Sequence, residues 1–270
     1  KDMNPISRLL QPKKALLEDQ RVAASIVTQV LLEMRLMSIA GAPLKLLDEV
    51  AERMIRERGG EPYNKGYKPA WAGVPFPATV CMSVNEEVCH GIPGNRVLEK
   101  GDLVNYDVGV RYRSGCGDAA LSVPVGVVSN RKLRTLRFAH HALYAGIAAV
   151  KAGAPVSAIG RAIDEVCAKY NMRSVKQFTG HHIGKEMHEK PHIQPYYIPE
   201  NDTILLKEGA IICIEPHITP GDGRIGLAPD QWTHFTLDNQ PVAMFEHMVL
   251  VTKEGCEILT NHITENDYVS

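Results

Sequence analysis

The fold is decided by the stretch Val104-Asn105-Tyr106-Asp107-Val108-Gly109-Val110-Arg111-Tyr112-Arg113-Ser114-Gly115-Cys116-Gly117-Asp118. Apolar residues alternate loosely at its start, which predicts a half-buried strand, and Arg113-Ser114-Gly115 is typical of a turn. An antiparallel hairpin folded about Tyr112 places Asp107 and Asp118 on facing strands. Because neighbouring strands lie only ~5 Å apart, both carboxylates can reach one site. Two carboxylates this close disfavour each other's ionisation unless a cation compensates, and a bound metal ion is the simplest such cation.

A related arrangement occurs a second time in the chain. Ala-Gly-Ala-Pro stands at residues 40–43 and again at 152–155, each time between two predicted helices and each time followed by Asp-Glu-Val. Asp107 and Glu215 each lie six residues after a glycine on a predicted strand. The short motif alone could be coincidence, but its agreement in order and spacing favours a duplication. The two halves would share one curved antiparallel sheet, with helices outside and carboxylates between them, which is an α+β fold.

Helical spacing of apolar residues predicts four helices, at about 16–37, 44–58, 130–150 and 156–170. Residues 1–13 show no strong pattern and are predicted to form an N-terminal arm. Residues 14–270 are predicted to form a single domain, with repeats at about 14–130 and 131–260.

The composition is that of an ordinary globular chain of 270 residues, with 44% apolar residues, 23% charged residues and a net charge of −1. This net charge does not predict a positively charged surface that would bind nucleic acid or an anionic membrane. No run of eighteen apolar residues and no signal-peptide pattern occurs in the sequence. Six scattered cysteines without a Cys-x-x-Cys pair are typical of reduced thiols. We therefore expect a cytoplasmic protein that does not enter a membrane.

Two further acidic residues interrupt apolar strands in the second half. Glu215 follows Ile211-Ile212-Cys213-Ile214, and Glu246 lies within the apolar run at 242–249. Ionised carboxylates are rarely buried without a partner. A structural salt bridge would explain any one of the four acids. Four together, with no lysine or arginine alternating beside them, favour a metal site.

Histidines that could complete such a site lie between the acidic strands, in Gly180-His181-His182-Ile183-Gly184 and in Met187-His188-Glu189-Lys190-Pro191-His192. The second segment contains the His-Glu-x-x-His string of zinc proteases. That motif needs a helix so that both histidines share one face. Pro191 disfavours a helix there, and we reject this interpretation.

These residues resemble the type I methionine aminopeptidases, within the wider family of pita-bread metallopeptidases. The resemblance covers about residues 14–260 and implies a pseudo-two-fold fold with a dinuclear metal site between its halves. It is carried by Ser83-Val84-Asn85-Glu86-Glu87-Val88-Cys89-His90-Gly91-Ile92-Pro93, the Asp107/Asp118 hairpin, Gly180-His181, Met187-His188-Glu189, Ile214-Glu215-Pro216 and Phe245-Glu246-His247.

The resemblance implies two divalent metal ions, whether Co, Mn, Fe or Zn, held by five side chains. These ligands would be Asp107, Asp118, His181, Glu215 and Glu246, with Asp118 and Glu246 bridging the two ions. Water held between two cations loses a proton near neutral pH and can attack a peptide carbonyl. Glu215 would also carry a proton to the leaving amine. His90 and His188 match two histidines of the family that hydrogen-bond the substrate.

The resemblance also implies the substrate and its pocket. The substrate would be an N-terminal methionine followed by a small second residue, on peptides and nascent proteins. The methionine pocket would be lined by Phe76, Cys81, Met187 and Trp232, any of which could instead be ordinary core residues. We expect a monomer, and residues 1–13 could dock on the ribosome. Two alternatives are an Xaa-Pro peptidase and a non-catalytic relative that binds a partner.

Four residues depart from the usual pattern of the family. Gly109 and Ala119 stand where threonines are usual, His182 replaces the middle glycine of Gly-His-Gly-Ile-Gly, and His217 is unusual after Glu215-Pro216. Because successive side chains of an extended chain point to opposite faces, only one of His181 and His182 can face the carboxylates. The Gly-His-x-Ile-Gly frame selects His181.

Overall fold

The computed structural model describes residues 14–268. Its four α-helices are α1 (Lys14–Met37), α2 (Leu44–Glu57), α3 (Asn130–Ala148) and α4 (Ser157–Tyr170). These bounds confirm the four helices predicted from apolar spacing to within about two residues. Helix α3 begins after Ser129, whose hydroxyl accepts a hydrogen bond from the backbone N–H of Lys132. The predicted arm at residues 1–13 lies outside the described residues.

Within residues 14–268, fifteen strands are distributed over both halves. They are β1 (Glu61–Pro62), β2 (Cys81–Val84), β3 (Glu87–Cys89), β4 (Leu103–Tyr112), β5 (Gly115–Pro124), β6 (Arg173–Ser174), β7 (Gly180–His182), β8 (Glu189–Ile193), β9 (Ile211–Ile214), β10 (His217–Thr219), β11 (Ile225–Leu227), β12 (His234–Thr236), β13 (Ala243–Met244), β14 (His247–Val251) and β15 (Cys256–Ile258). A short 3-10 helix spans Pro199–Thr203.

Strands β4 and β5 form the predicted hairpin. Their turn is Arg113-Ser114, and Arg113 adopts a left-handed conformation with φ of 50°. The register pairs Asp107 with Ala120 and Asp118 with Gly109. The two aspartates are therefore offset by two residues rather than directly opposite, because the bend lies beyond the predicted centre at Tyr112. An offset of two keeps both side chains on one face of the sheet.

The predicted curved antiparallel sheet is divided into four hydrogen-bonded sheets. One contains β1, β4, β2 and β5, and another has the order β15-β14-β9-β7-β8. The two smaller sheets have the orders β13-β10-β6 and β11-β12-β3. The two large sheets meet at an isolated bridge between Ala120 and Glu246, where the backbone N–H of Glu246 donates to the carbonyl of Ala120 over 3.0 Å. This junction brings acidic residues from both halves together.

The helices lie outside the sheets. Helix α1 packs on β4 and β5, whereas α3 packs on α4, β10 and β13. One large apolar core runs through both halves, from Ala23 on α1 to Ile263 near the end of the described chain. All six cysteines are free, as the absence of a cysteine pattern predicted. Within residues 14–268, none of the helices has the length and apolarity needed to cross a membrane.

Candidate metal centre

The five predicted metal ligands converge on one cavity of about 270 Å³. Asp107 and Asp118 project from β4 and β5, and His181 lies on β7. Glu215 directly follows β9, and Glu246 directly precedes β14. The Nε2 atom of His181 lies 3.5 Å from Oδ2 of Asp118 and 3.6 Å from Oε1 of Glu215. Side chains that are far apart in sequence are thus close enough together to bind the same metal ion.

The four carboxylates lie close together, with Asp118 and Glu246 buried and with Asp107 and Glu215 partly exposed to the cavity. Burial raises the pKa of Asp118 to about 8. Burial also raises the pKa of Asp107, Glu215 and Glu246 well above the usual range, and the neighbouring carboxylates raise it further. Within residues 14–268, no lysine or arginine forms an ion pair with these four groups. These four groups can therefore all be ionised at neutral pH only when a cation from outside the chain compensates their charges.

A divalent metal ion fits this donor set. Oε1 of Glu246 is buried and has no hydrogen-bond partner, so it is an acceptor that the protein leaves unused. Carboxylate oxygens together with an imidazole suit Mn²⁺, Fe²⁺, Co²⁺ and Zn²⁺. Donor atoms of Asp118, His181, Cys213 and Glu246 all lie within 4.8 Å of one another. Sequence reasoning missed Cys213, although its place two residues before Glu215 indicates that it shares the face of that residue.

The two remaining predicted histidines also line the cavity. The ring centre of His188 lies 4.6 Å from that of His181, with the rings in an edge-to-face arrangement. His90 stacks on Trp71 with 5.8 Å between ring centres, and its buried Nδ1 has no hydrogen-bond partner. Burial lowers the pKa of His90 to about 3 and the pKa of His188 to about 3. Both imidazoles are therefore neutral at pH 7.

Three of the four predicted pocket residues pack together beside the cavity. Phe76, Cys81 and Trp232 belong to one buried apolar cluster, in which the rings of Phe76 and Trp232 meet edge to face at 5.1 Å. The indole N–H of Trp232 donates to the carbonyl of Val74 over 3.0 Å. Met187 lies in a different apolar cluster, together with Met248. The structure thus brings Phe76, Cys81 and Trp232 together and separates Met187 from them.

Several cavity residues escaped sequence reasoning. They are Tyr67, Trp71, Cys89, Gln177, Phe178, Thr179 and His192. Trp71 is 54% exposed although its ring contacts both His90 and Trp232. The aromatic and proline-rich composition of residues 61–78 is the signal that could have indicated a wall of the site.

Four residues depart from the usual pattern of the family that the sequence resembles, and the structure shows what three of them contact. A Cβ atom at Gly109 would lie 2.7 Å from Cε of Met187, so methionine occupies the space that a side chain would need. His182 turns away from the carboxylates and places Nδ1 3.0 Å from Oε2 of Glu189. His217 is buried and packs against Phe178 with 5.0 Å between ring centres. Ala119 is buried in the core, and nothing in the structure explains its difference from threonine.

The rejection of a helical zinc-protease motif agrees with the structure. Glu189–Ile193 form strand β8 rather than a helix, and this strand pairs with β7. A β-bulge between His181 and His182 shifts the register of that pair.

Comparison with known proteins identifies the family. The sequence profile of metallopeptidase family M24 matches residues 18–253. The chain belongs to metallopeptidase family M24. Membership in a metallopeptidase family implies a divalent metal ion, and the M24 profile covers all five predicted ligands.

Within family M24 the chain belongs with the methionine aminopeptidases. It is 37% identical over 220 residues to methionine aminopeptidase 1 of Bacillus subtilis, covering 82% of this chain and 86% of that protein. It is 38% identical over 220 residues to the methionine aminopeptidase of Treponema pallidum, covering 82% of this chain and 84% of that protein. The predicted resemblance to methionine aminopeptidases is therefore confirmed.

Solved structures of M24 proteins confirm the pita-bread fold. The crystal structure of the methionine aminopeptidase from Rickettsia prowazekii superimposes with a TM-score of 0.87 at 33% identity, covering 94% of this chain and 100% of that one. The prolidase from Pyrococcus furiosus superimposes with a TM-score of 0.69 at 20% identity, and the match covers only 65% of that chain. That second similarity shows the fold alone, and an Xaa-Pro peptidase is not favoured.

Proposed function

We propose that the protein is a metal-dependent aminopeptidase that releases methionine from the N-terminus of peptides and nascent proteins with a small second residue. The observation that carries the proposal is the convergence of four carboxylates and His181 on one cavity, with no lysine or arginine among the described residues paired to these carboxylates. The names of the M24 relatives support the same activity.

The proposed metal centre holds two divalent ions. Asp107, Asp118, His181, Glu215 and Glu246 would be the ligands, with Asp118 and Glu246 shared between the ions. The unused Oε1 of Glu246 and the raised pKa of all four carboxylates support this assignment. Affinity alone does not choose among Co²⁺, Mn²⁺, Fe²⁺ and Zn²⁺. When bound, such ions supply Lewis-acid polarisation of a carbonyl and a lowered pKa for water.

The side chains around this centre would orient the peptide and move its protons. Glu215 lines the cavity, and we propose that it also takes a proton and passes it to the leaving amine nitrogen. His90 and His188 are neutral at pH 7, so each ring can donate one hydrogen bond and accept another. Both rings face the cavity, and we propose that they bind the scissile peptide group.

The methionine side chain would be held by the cluster of Phe76, Cys81 and Trp232. A thioether packs favourably against aromatic rings, and two aromatic rings meet in this cluster. Met187 remains a predicted pocket residue, although it packs in another cluster. The proposed preference for a small second residue follows from the resemblance to the methionine aminopeptidases. The monomeric state and the cytoplasmic location stay predictions.

The test is release of free methionine from the peptide Met-Ala-Ser by the full chain. We expect activity to disappear with a chelator and to return with Co²⁺ or Mn²⁺. A Met-Leu-Ser peptide is the matched control and should be cleaved far more slowly. Methionine release by metal-stripped protein, or no release under any metal condition, would refute the proposal. Cleavage of an Xaa-Pro peptide instead would favour the alternative activity.

A further inference from the structure

Cys213 lies on the same face as the proposed ligands. On β9 it is the direct partner of His181 on β7 and of Met248 on β14. Residues directly opposite each other in an antiparallel pair project to the same side of the sheet. Glu215 lies two residues further along the chain and therefore shares this side. The strand register thus directs the sulfur of Cys213 toward the metal centre.

The distances around Cys213 are close to those of a metal-binding group. One donor atom each of Asp118, His181, Cys213 and Glu246 lies within 4.8 Å of the other three. Metal–ligand bonds of about 2.0–2.3 Å separate the donors of a tetrahedral Zn²⁺ ion by roughly 3.3–3.8 Å. A contraction of about 1 Å would bring the sulfur of Cys213 within bonding distance of an ion held by Asp118, His181 and Glu246, and a catalytic Zn²⁺ ion can expand to five ligands.

Two observations bear on whether these donors can bind an ion. Cys213 and Glu246 are both buried, the Cys213 thiol hydrogen-bonds the Glu246 carboxylate, and Oε1 of Glu246 has no partner. The Nε2 atom of His181 already lies 3.5 Å from Oδ2 of Asp118, which is an ordinary spacing for two ligands of one ion. A second buried cysteine, Cys89, lines the same cavity but is not part of this donor group.

We propose that Cys213 is a sulfur ligand of the ion held by Asp118, His181 and Glu246. This inference rests on the proposed metal centre and adds a ligand that the resemblance does not supply. Coordination replaces the S–H bond by a sulfur–metal bond, and the proton leaves to the solvent. A thiolate is a soft ligand and suits Zn²⁺ better than Mn²⁺. The mixed oxygen, nitrogen and sulfur set therefore gives this centre a preference for Zn²⁺.

The test is the absorption spectrum of metal-free protein loaded with Co²⁺, which reports ligation without any measurement of activity. A thiolate bound to Co²⁺ gives a charge-transfer band in the near ultraviolet. We expect this band in the wild type and in Cys89→Ser, and we expect its loss in Cys213→Ser. Competition with a chromogenic chelator should show that Cys213→Ser weakens Zn²⁺ binding by about 10–100-fold. Mn²⁺ binding should change much less.

Each other outcome overturns the assignment. If Co²⁺ remains bound after dialysis but the wild type lacks the band, Cys213 is not a ligand and the proposed function is unaffected. If the wild type binds no Co²⁺ at all, the proposed metal centre fails as well. A band that survives in Cys213→Ser assigns the sulfur to another cysteine. If Cys213→Ser does not fold, absence of the band in the wild type still refutes the ligand, and Cys213→Ala is the second variant that assigns a band that is present.

Discussion

Replacement of His182 by glycine separates its role from that of His181. The His182 side chain is buried, and its Nδ1 lies 3.0 Å from Oε2 of Glu189. This hydrogen bond is the main cause that lowers the pKa of Glu189. The other oxygen of Glu189 accepts a hydrogen bond from the backbone N–H of Glu186 over 3.0 Å. His182 therefore stabilises the turn between β7 and β8 and does not face the carboxylates.

The stability change follows from these contacts. Loss of one hydrogen bond to a charged group costs about 1.5 kcal/mol, since water can rehydrate the partly exposed Glu189. The added backbone freedom of glycine costs about 0.5–1 kcal/mol. We therefore expect His182→Gly to lower the free energy of unfolding by about 2 kcal/mol. In a chain of this size that shift corresponds to a fall in Tm of roughly 4–8 °C.

The assay compares His182→Gly with His181→Ala. Thermal unfolding followed by circular dichroism gives the stability, and elemental analysis after dialysis gives the metal content. His182→Gly should keep its metal and most of its methionine release, whereas His181→Ala should lose at least one ion and nearly all turnover. Glu189→Gln tests the pair itself, because the effects of the two changes should not add. If His182→Gly loses metal while His181→Ala retains it, the assignment of His181 rather than His182 as the ligand is refuted.

Three further predictions test other parts of the structure. His188→Ala should keep its metal while kcat/KM falls on the order of 10²-fold, because a hydrogen bond made in the transition state is lost; loss of metal would instead make His188 a ligand. Gly109→Ala places a methyl group 2.7 Å from Cε of Met187 and 3.1 Å from Oδ1 of Asn64. Because the flexible end of Met187 can move, chemical denaturation should show a loss of only about 1 kcal/mol, at the low end for overpacking, with partial rescue by Met187→Ala; an unchanged stability would contradict the contact. Burial lowers the pKa of His262 to about 4, so only the unfolded chain takes up this proton between its ordinary pKa near 6.5 and pH 4. His262 should therefore contribute about 3 kcal/mol to the stability that is lost as the pH drops through this window, and His262→Gln should show a shallower slope than the wild type; equal slopes would refute this contribution.

The sequence alone predicted the four helices, the β4–β5 hairpin and most of the proposed ligands. Helical spacing located α1–α4, because an amphipathic helix carries its period in consecutive residues. Turn residues located the β4–β5 hairpin for the same local reason. Sequence analysis could identify the four acidic residues as candidate ligands because a charged residue inside an apolar strand is costly without a partner. The family resemblance then selected His181 between two adjacent histidines.

Tertiary structure decided which side chains meet across these elements. Cys213 joins the donor group only because β7, β9 and β14 pair in one register, and register depends on contacts between distant segments. The space that Met187 takes beside Gly109 likewise has no signal in either local sequence. The partner of His182 is set by the β-bulge next to it, which redirects one side chain relative to the neighbouring strand. Local periodicity fixes the face on which a side chain projects, but only packing between distant strands fixes what that face meets.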